Sequence, residues 1–98
     1  MRSRMPIVYA SSIMAVKARS NFLSHNRFGA VISTSVDSRA VRRHVLKRVL
    51  LAHVRQWKGL PSDFVFILSR PAARLSRQEF RAELDHVREK VFALTPKP

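Results

Sequence analysis

The run Asp63-Phe64-Val65-Phe66-Ile67-Leu68 is almost continuously apolar and has the length of a single strand. Such a run reads as a strand buried on both faces, so the chain must fold around a sheet. Shorter strands are expected at Ile7-Val8-Tyr9, at Ile13 to Ala18 and, rich in β-branched residues, at Phe28 to Thr34. Arg19 to Asn26, with Ser20, Asn21, Ser24 and Asn26, reads as a polar connection. Asp37 or Ser38 offers an N-cap for a long helix that runs to about Lys58 and stops at Gly59-Leu60-Pro61. Arg70-Pro71-Ala72-Ala73 leaves the sheet. Ser76-Arg77-Gln78-Glu79 is a capping box, and Phe80, Leu84, Val87 and Val91 follow at helical spacing up to Thr95-Pro96-Lys97-Pro98. The order is strands, helix, strand, helix, which predicts an α+β two-layer sandwich with a small sheet. At 98 residues it is one domain, spanning 1–98.

The first long helix carries most of the functional signal. At about 100° per residue, Val41, Val45, Val49 and Ala52 share one side, with Leu46, Leu50 and Trp57 adjoining. Arg43, His44, Lys47, Arg48, Arg55 and Lys58 occupy roughly the opposite arc, which Leu51 and Val54 interrupt. The formal charge is +13, from 19 Lys and Arg against 6 acids, and 14 of the 19 are arginine. Guanidinium groups bind phosphate bidentately and stack on bases, so this bias points to a polyanion, with RNA the leading candidate. The first acid is Asp37 and the other five lie at or beyond Asp63.

Cysteine is absent, which excludes disulfides, thiol catalysis and Cys-rich zinc sites. The histidines, His25, His44, His53 and His86, lack the spacing of a zinc motif, so no metal ligands are assigned. There is no Ser-His-Asp or Cys-His framework, and the six acids show no metal-binding cluster. No segment reaches membrane-spanning length. Between Met1 and Val16, Tyr9-Ala10-Ser11-Ser12 breaks the apolar run, which argues against a secretory signal. That end is Arg- and Ser-rich like a transit peptide, yet its strand pattern favours a folded segment.

The motifs resemble the protein component of bacterial ribonuclease P. That family has a strand of the type R-F-G, three hydrophobic residues and S, matched by Arg27-Phe28-Gly29-Ala30-Val31-Ile32-Ser33. Its helix pattern A-V-x-R-N-R-x-K/R-R is matched seven residues later by Ala40-Val41-Arg42-Arg43-His44-Val45-Leu46-Lys47-Arg48, with Arg55 where a further arginine is usual. Asp63 to Leu68 and then Ser69-Arg70-Pro71-Ala72-Ala73 follow the family's downstream pattern. The resemblance covers about Arg27 to Leu94. His44 replaces the asparagine of the R-N-R core, Val45 replaces its second arginine, and Thr34-Ser35 replaces a basic loop pair. The family's N-terminal helix has no counterpart before Ile7, which marks a divergent, N-terminally shortened member.

The resemblance implies a ribosomal protein S5 domain 2-like fold with a left-handed strand-helix-strand crossover. It also implies a role as the non-catalytic subunit of an RNA-based endoribonuclease that matures the 5′ end of tRNA. The catalytic RNA would use magnesium ions, with no cofactor bound by the protein. The partners would be ribonuclease P RNA and precursor tRNA, with no membrane, no obligate protein partner and a cytoplasmic location. Candidate contacts to the catalytic RNA are Arg39, Arg42, Arg43, His44, Lys47, Arg48, Arg55 and Lys58. A cleft on the sheet would hold the 5′ leader, with Arg27, Phe28, Ser33 and Arg70 as candidates. Phe28 reads equally as core, Ser33 as a strand-end hydrogen-bonding group, and Trp57 and Phe64 as packing. His44 has no carboxylate partner in view and reads as a hydrogen-bond donor, not an acid or base. The alternative is a non-enzymatic RNA-binding module associated with the ribosome or another structured RNA.

Overall fold

The computed structural model describes residues 5–57 and 62–93. Strands β1 (Ile7–Ala10), β2 (Met14–Ser20) and β3 (Arg27–Val31) precede helix α1 (Ala40–Val54). Strand β4 (Ser62–Leu68), a 3-10 turn (Arg70–Arg74) and helix α2 (Arg77–Ala93) complete it. The sheet order is β1-β2-β4-β3. β1 and β2 are antiparallel, as are β2 and β4, whereas β3 runs parallel to β4. A parallel neighbour requires a crossover, and α1 supplies it. The expected α+β sandwich is present.

Strand alternation sorts the sheet into two faces. Met14, Val16 and Ala18 of β2 and Phe64, Phe66 and Leu68 of β4 are buried under the helices. They meet Leu50, Val54 and Trp57 from α1 and its following turn, and Phe80, Leu84, Val87 and Val91 from α2. Among the described residues, no helix covers the opposite face. Val65 and Ile67 are half-buried there, so β4 is covered fully on one side only. The continuous apolar run therefore reflects a central position in the sheet more than burial on both faces.

α2 begins as its sequence requires. The Ser76 hydroxyl accepts from the Glu79 amide at 3.1 Å, and the Glu79 carboxylate accepts from the Ser76 amide at 2.9 Å. β1 is tied to this helix by Glu83, which accepts from the Tyr9 hydroxyl at 3.0 Å and from Ser11 Oγ at 3.1 Å.

Further expectations change, and β2 runs on to Ser20, into the expected connection. β3 stops at Val31, so Ser33 lies in the turn that buries Val36. α1 stops at Val54, with Arg55 as its C-cap. The expected stop at Gly59-Leu60-Pro61 and the final Thr95 to Pro98 lie outside the described residues, as does Lys58. The largest change is rotational. The buried side of α1 is Leu46, Leu50 and Val54, while Val41, Val45 and Ala52 face outward. Leu46, Leu50 and Val54 recur at i, i+4 and i+8 and bring more apolar bulk to the core than the valine-alanine stripe does.

Candidate nucleic-acid interface

The start of α1 is organised by the chain's first acid. Asp37 accepts from the backbone amide of Arg39 at 2.9 Å. It also pairs with Arg39 Nε at 3.3 Å and Arg42 Nε at 3.0 Å. The amide hydrogen bond is the main reason its carboxyl is held below the usual carboxylate range, with the Arg39 and Arg42 charges adding to it. The N-cap is thus Arg39, without a side-chain cap, in place of the expected Asp37 or Ser38, and Asp37 instead closes the connection just before the helix. Arg43 turns back onto this connection, donating from Nη1 to the carbonyls of Asp37 and Ser38, both at 3.0 Å. Arg39, Arg42 and Arg43 therefore have structural work at the helix start.

The rest of the predicted cationic face is free of such duties. His44, Lys47, Arg48 and Arg55 are exposed and make no ion pair among the described residues. His44, Arg48 and Arg55 recur at i, i+4 and i+11, forming one stripe with Lys47 on its flank. His53 faces the other way and meets Asp85 of α2 at 2.7 Å, which ties the two helices together. An unpaired cationic stripe on a rigid helix can bind phosphates without first breaking internal ion pairs.

The uncovered sheet face is a second surface. Register places Ile7, Lys17, Val65 and Gly29 in one row, and Ala15, Ile67 and Val31 in the next. A side chain at Gly29 would meet nothing within 4 Å, so this patch of backbone is open to an approaching chain. The end row is Arg19, Asp63 and Arg27, directly opposite one another. Arg27 grips Asp63 through Nε and Nη2, both at 2.7 Å. Arg19 Nε lies 3.4 Å from the same carboxylate, and Asn21 Nδ2 donates to it at 3.0 Å. These donors, Arg27 foremost, hold the Asp63 carboxyl well below the usual carboxylate range.

The four leader candidates separate. Arg27 lies at the rim of the open face, but its guanidinium is engaged by Asp63 while its side chain stays 56% exposed. Phe28 faces the helical layer, where it stacks on Phe64 at 5.4 Å and meets Trp57 edge-on at 6.2 Å. Its role is packing, and no aromatic ring of the four strands lies on the open face. Ser33 is exposed and bonded to Ser35 through the two hydroxyls at 2.6 Å. Arg70 is exposed at the start of the 3-10 turn. Sequence reasoning missed Lys17, Arg19 and Asn21, because their positions depend on strand register.

A four-stranded sheet under two helices, with a basic helix as its crossover, places the molecule among small basic α+β domains. Its fold is that of ribonuclease P proteins. The structure of the Staphylococcus aureus protein matches with a TM-score of 0.75 over 83% of this chain and 76% of that one, at 24% identity. That of Thermotoga maritima matches with a TM-score of 0.73 over 84% and 80%, at 22% identity. The family model described as Ribonuclease P matches residues 4–91, and the chain belongs to that family. Its relatives include the ribonuclease P protein component of Xylella fastidiosa (strain 9a5c), 35% identical over 74 residues, which are 74% of this chain and 55% of that protein. The corresponding protein of Aliivibrio fischeri (strain ATCC 700601 / ES114) is 36% identical over 72 residues, 71% of this chain and 62% of that protein. The match thus spans little more than half the length of these relatives.

Proposed function

We propose that this chain acts as the protein subunit of ribonuclease P, assisting an RNA catalyst in 5′-end maturation of tRNA. The observation that carries the reading is the unpaired stripe of His44, Lys47, Arg48 and Arg55, in a member of this family. The stripe points away from the sheet, and the open sheet face lies on the other side of the domain. Two nucleic-acid segments can therefore be held at once, the catalytic RNA on α1 and the leader of precursor tRNA along the sheet. Phosphate contacts supply salt-sensitive affinity and reduce repulsion between the two RNAs. Leader contacts on the open face would come from Lys17, the exposed guanidinium edge of Arg27 and aliphatic side chains, without ring stacking.

The protein's part in the reaction is to bind and orient. Among the described residues no three His, Asp or Glu side chains cluster as a metal site. The magnesium ions of this reading belong to the RNA, where they supply the hydrolytic chemistry.

The test is 5′ maturation of a precursor tRNA by a bacterial ribonuclease P RNA at low magnesium, with and without this protein. A Lys47→Ala/Arg48→Ala/Arg55→Ala variant runs beside the wild type. Stimulation by the wild type that the variant loses is the expected result. Intact RNA binding without stimulation by either would favour a general RNA-binding module, for the ribosome or another structured RNA.

A further inference from the structure

α1 exposes valines that the core does not use. Val41 is 75% and Val45 39% exposed. Val45 opens onto a groove of about 260 Å³ between α1 and the start of α2. Leu46 and Val49 continue the α1 side, and Ala73 and Leu75 come from the turn before α2. Phe80, almost fully buried, lies deepest. The margin is polar: Arg42, Ser76 and Arg77. Arg42 shares its Nε with Asp37, whereas Arg77 makes no ion pair among the described residues.

An apolar slot edged by guanidinium groups suits a flat, uncharged group carried on an anionic chain. The volume is slightly below the roughly 300–1,000 Å³ typical of small-molecule sites, so it matches a single ring system. An apolar side chain of a protein partner fits the slot but leaves Arg77 unmatched and Arg42 with Asp37 alone. We propose that this groove receives one unpaired nucleobase of the RNA bound by α1, with Arg42 and Arg77 contacting the phosphates on either side of it. The proposal rests on the function proposed above and adds a base contact to its phosphate contacts. It also gives Val45 a use. This residue stands where the R-N-R pattern has its second arginine, so a charged side chain is replaced by an apolar one.

The exchange makes the test sharp. Val45→Arg adds a charge, and phosphate attraction alone predicts tighter RNA binding. A base-filled groove predicts the reverse, binding roughly tenfold weaker, the scale of one lost base contact. Ala73→Leu narrows the groove with no change in charge and is expected to give a similar loss. Affinity is measured on a bacterial ribonuclease P RNA, with thermal melts to confirm folding and Val45→Lys as the substitute should Val45→Arg not melt cooperatively. Chemical probing of unpaired bases adds a direct readout: one base protected by the wild type becomes reactive again with both variants. Wild-type affinity in either folded variant, or no such base, overturns the groove while leaving the phosphate reading intact. A wild-type protein that does not bind this RNA at all overturns both, before any variant is compared.

Discussion

At Asp63 donors from two strands and one connection converge on one carboxylate. Arg19 and Arg27 sit directly opposite it on the two neighbouring strands, and Asn21 reaches in from the connection between β2 and β3. Asp63→Asn removes the charge and leaves two guanidinium groups facing each other. The expected loss is about 1–3 kcal/mol of stability in urea denaturation. The folded pKa of Asp63 lies below its unfolded value of about 3.9. Its contribution is therefore complete above that value and fades as pH falls towards the depressed one. Between about pH 4 and pH 2 the wild type should lose stability more steeply than Asp63→Asn, as followed by thermal melts. The sequence supports an exposed Arg27 because burying an unpaired guanidinium is unfavourable. The structure meets the same requirement by pairing it. That partner is 36 residues away, and only strand register brings the two together.

The elements themselves were largely legible. Four strands, two helices and the Ser76–Glu79 capping box follow from local patterns, because each is fixed by residues within a few positions of one another. The rotation of α1 was not. Apolar residues surround much of this helix, so periodicity alone centres one side on Val41, Val45, Val49 and Ala52 with Leu46 and Leu50 beside it, whereas of that stripe only Val49 packs on the core. The core decides it, since Leu50 and Val54 are buried in one cluster with Phe64 and Phe66 of β4. Leu50→Ala is expected to cost about 2–5 kcal/mol, as for a fully buried leucine. Val41→Ala should stay within about 0.5 kcal/mol, as for a surface site. Equal losses for the two in urea denaturation would restore the rotation expected from the sequence.

Across the whole molecule, charge separates by task. Asp37 and Asp63 neutralise arginines that hold the helix start and the sheet end, while the stripe on α1 has no ion pair among the described residues. The cationic character of that stripe could be read from sequence, but which cations are already committed could not, since Arg43 and Lys47 look alike on a helical wheel. The division sets an expectation for RNA binding. Lys47→Ala and Arg48→Ala should each flatten the dependence of log affinity on log salt by about 1. Arg43→Ala should instead lower the melting temperature more than the salt slope, because its guanidinium supports backbone carbonyls.

The position of β4 bears on how the chain is made. β2 and β3 are not neighbours in the sheet; each pairs with β4, the last of the described strands in chain order. Until β4 leaves the ribosome, β1 and β2 alone among the described strands have each other to pair with. The emerging segment up to Ser62 carries a single acid, Asp37, among its arginines and lysines. Chains halted before β4 are therefore expected to stay protease-sensitive and chains that include it to become resistant, as limited proteolysis of a length series would show.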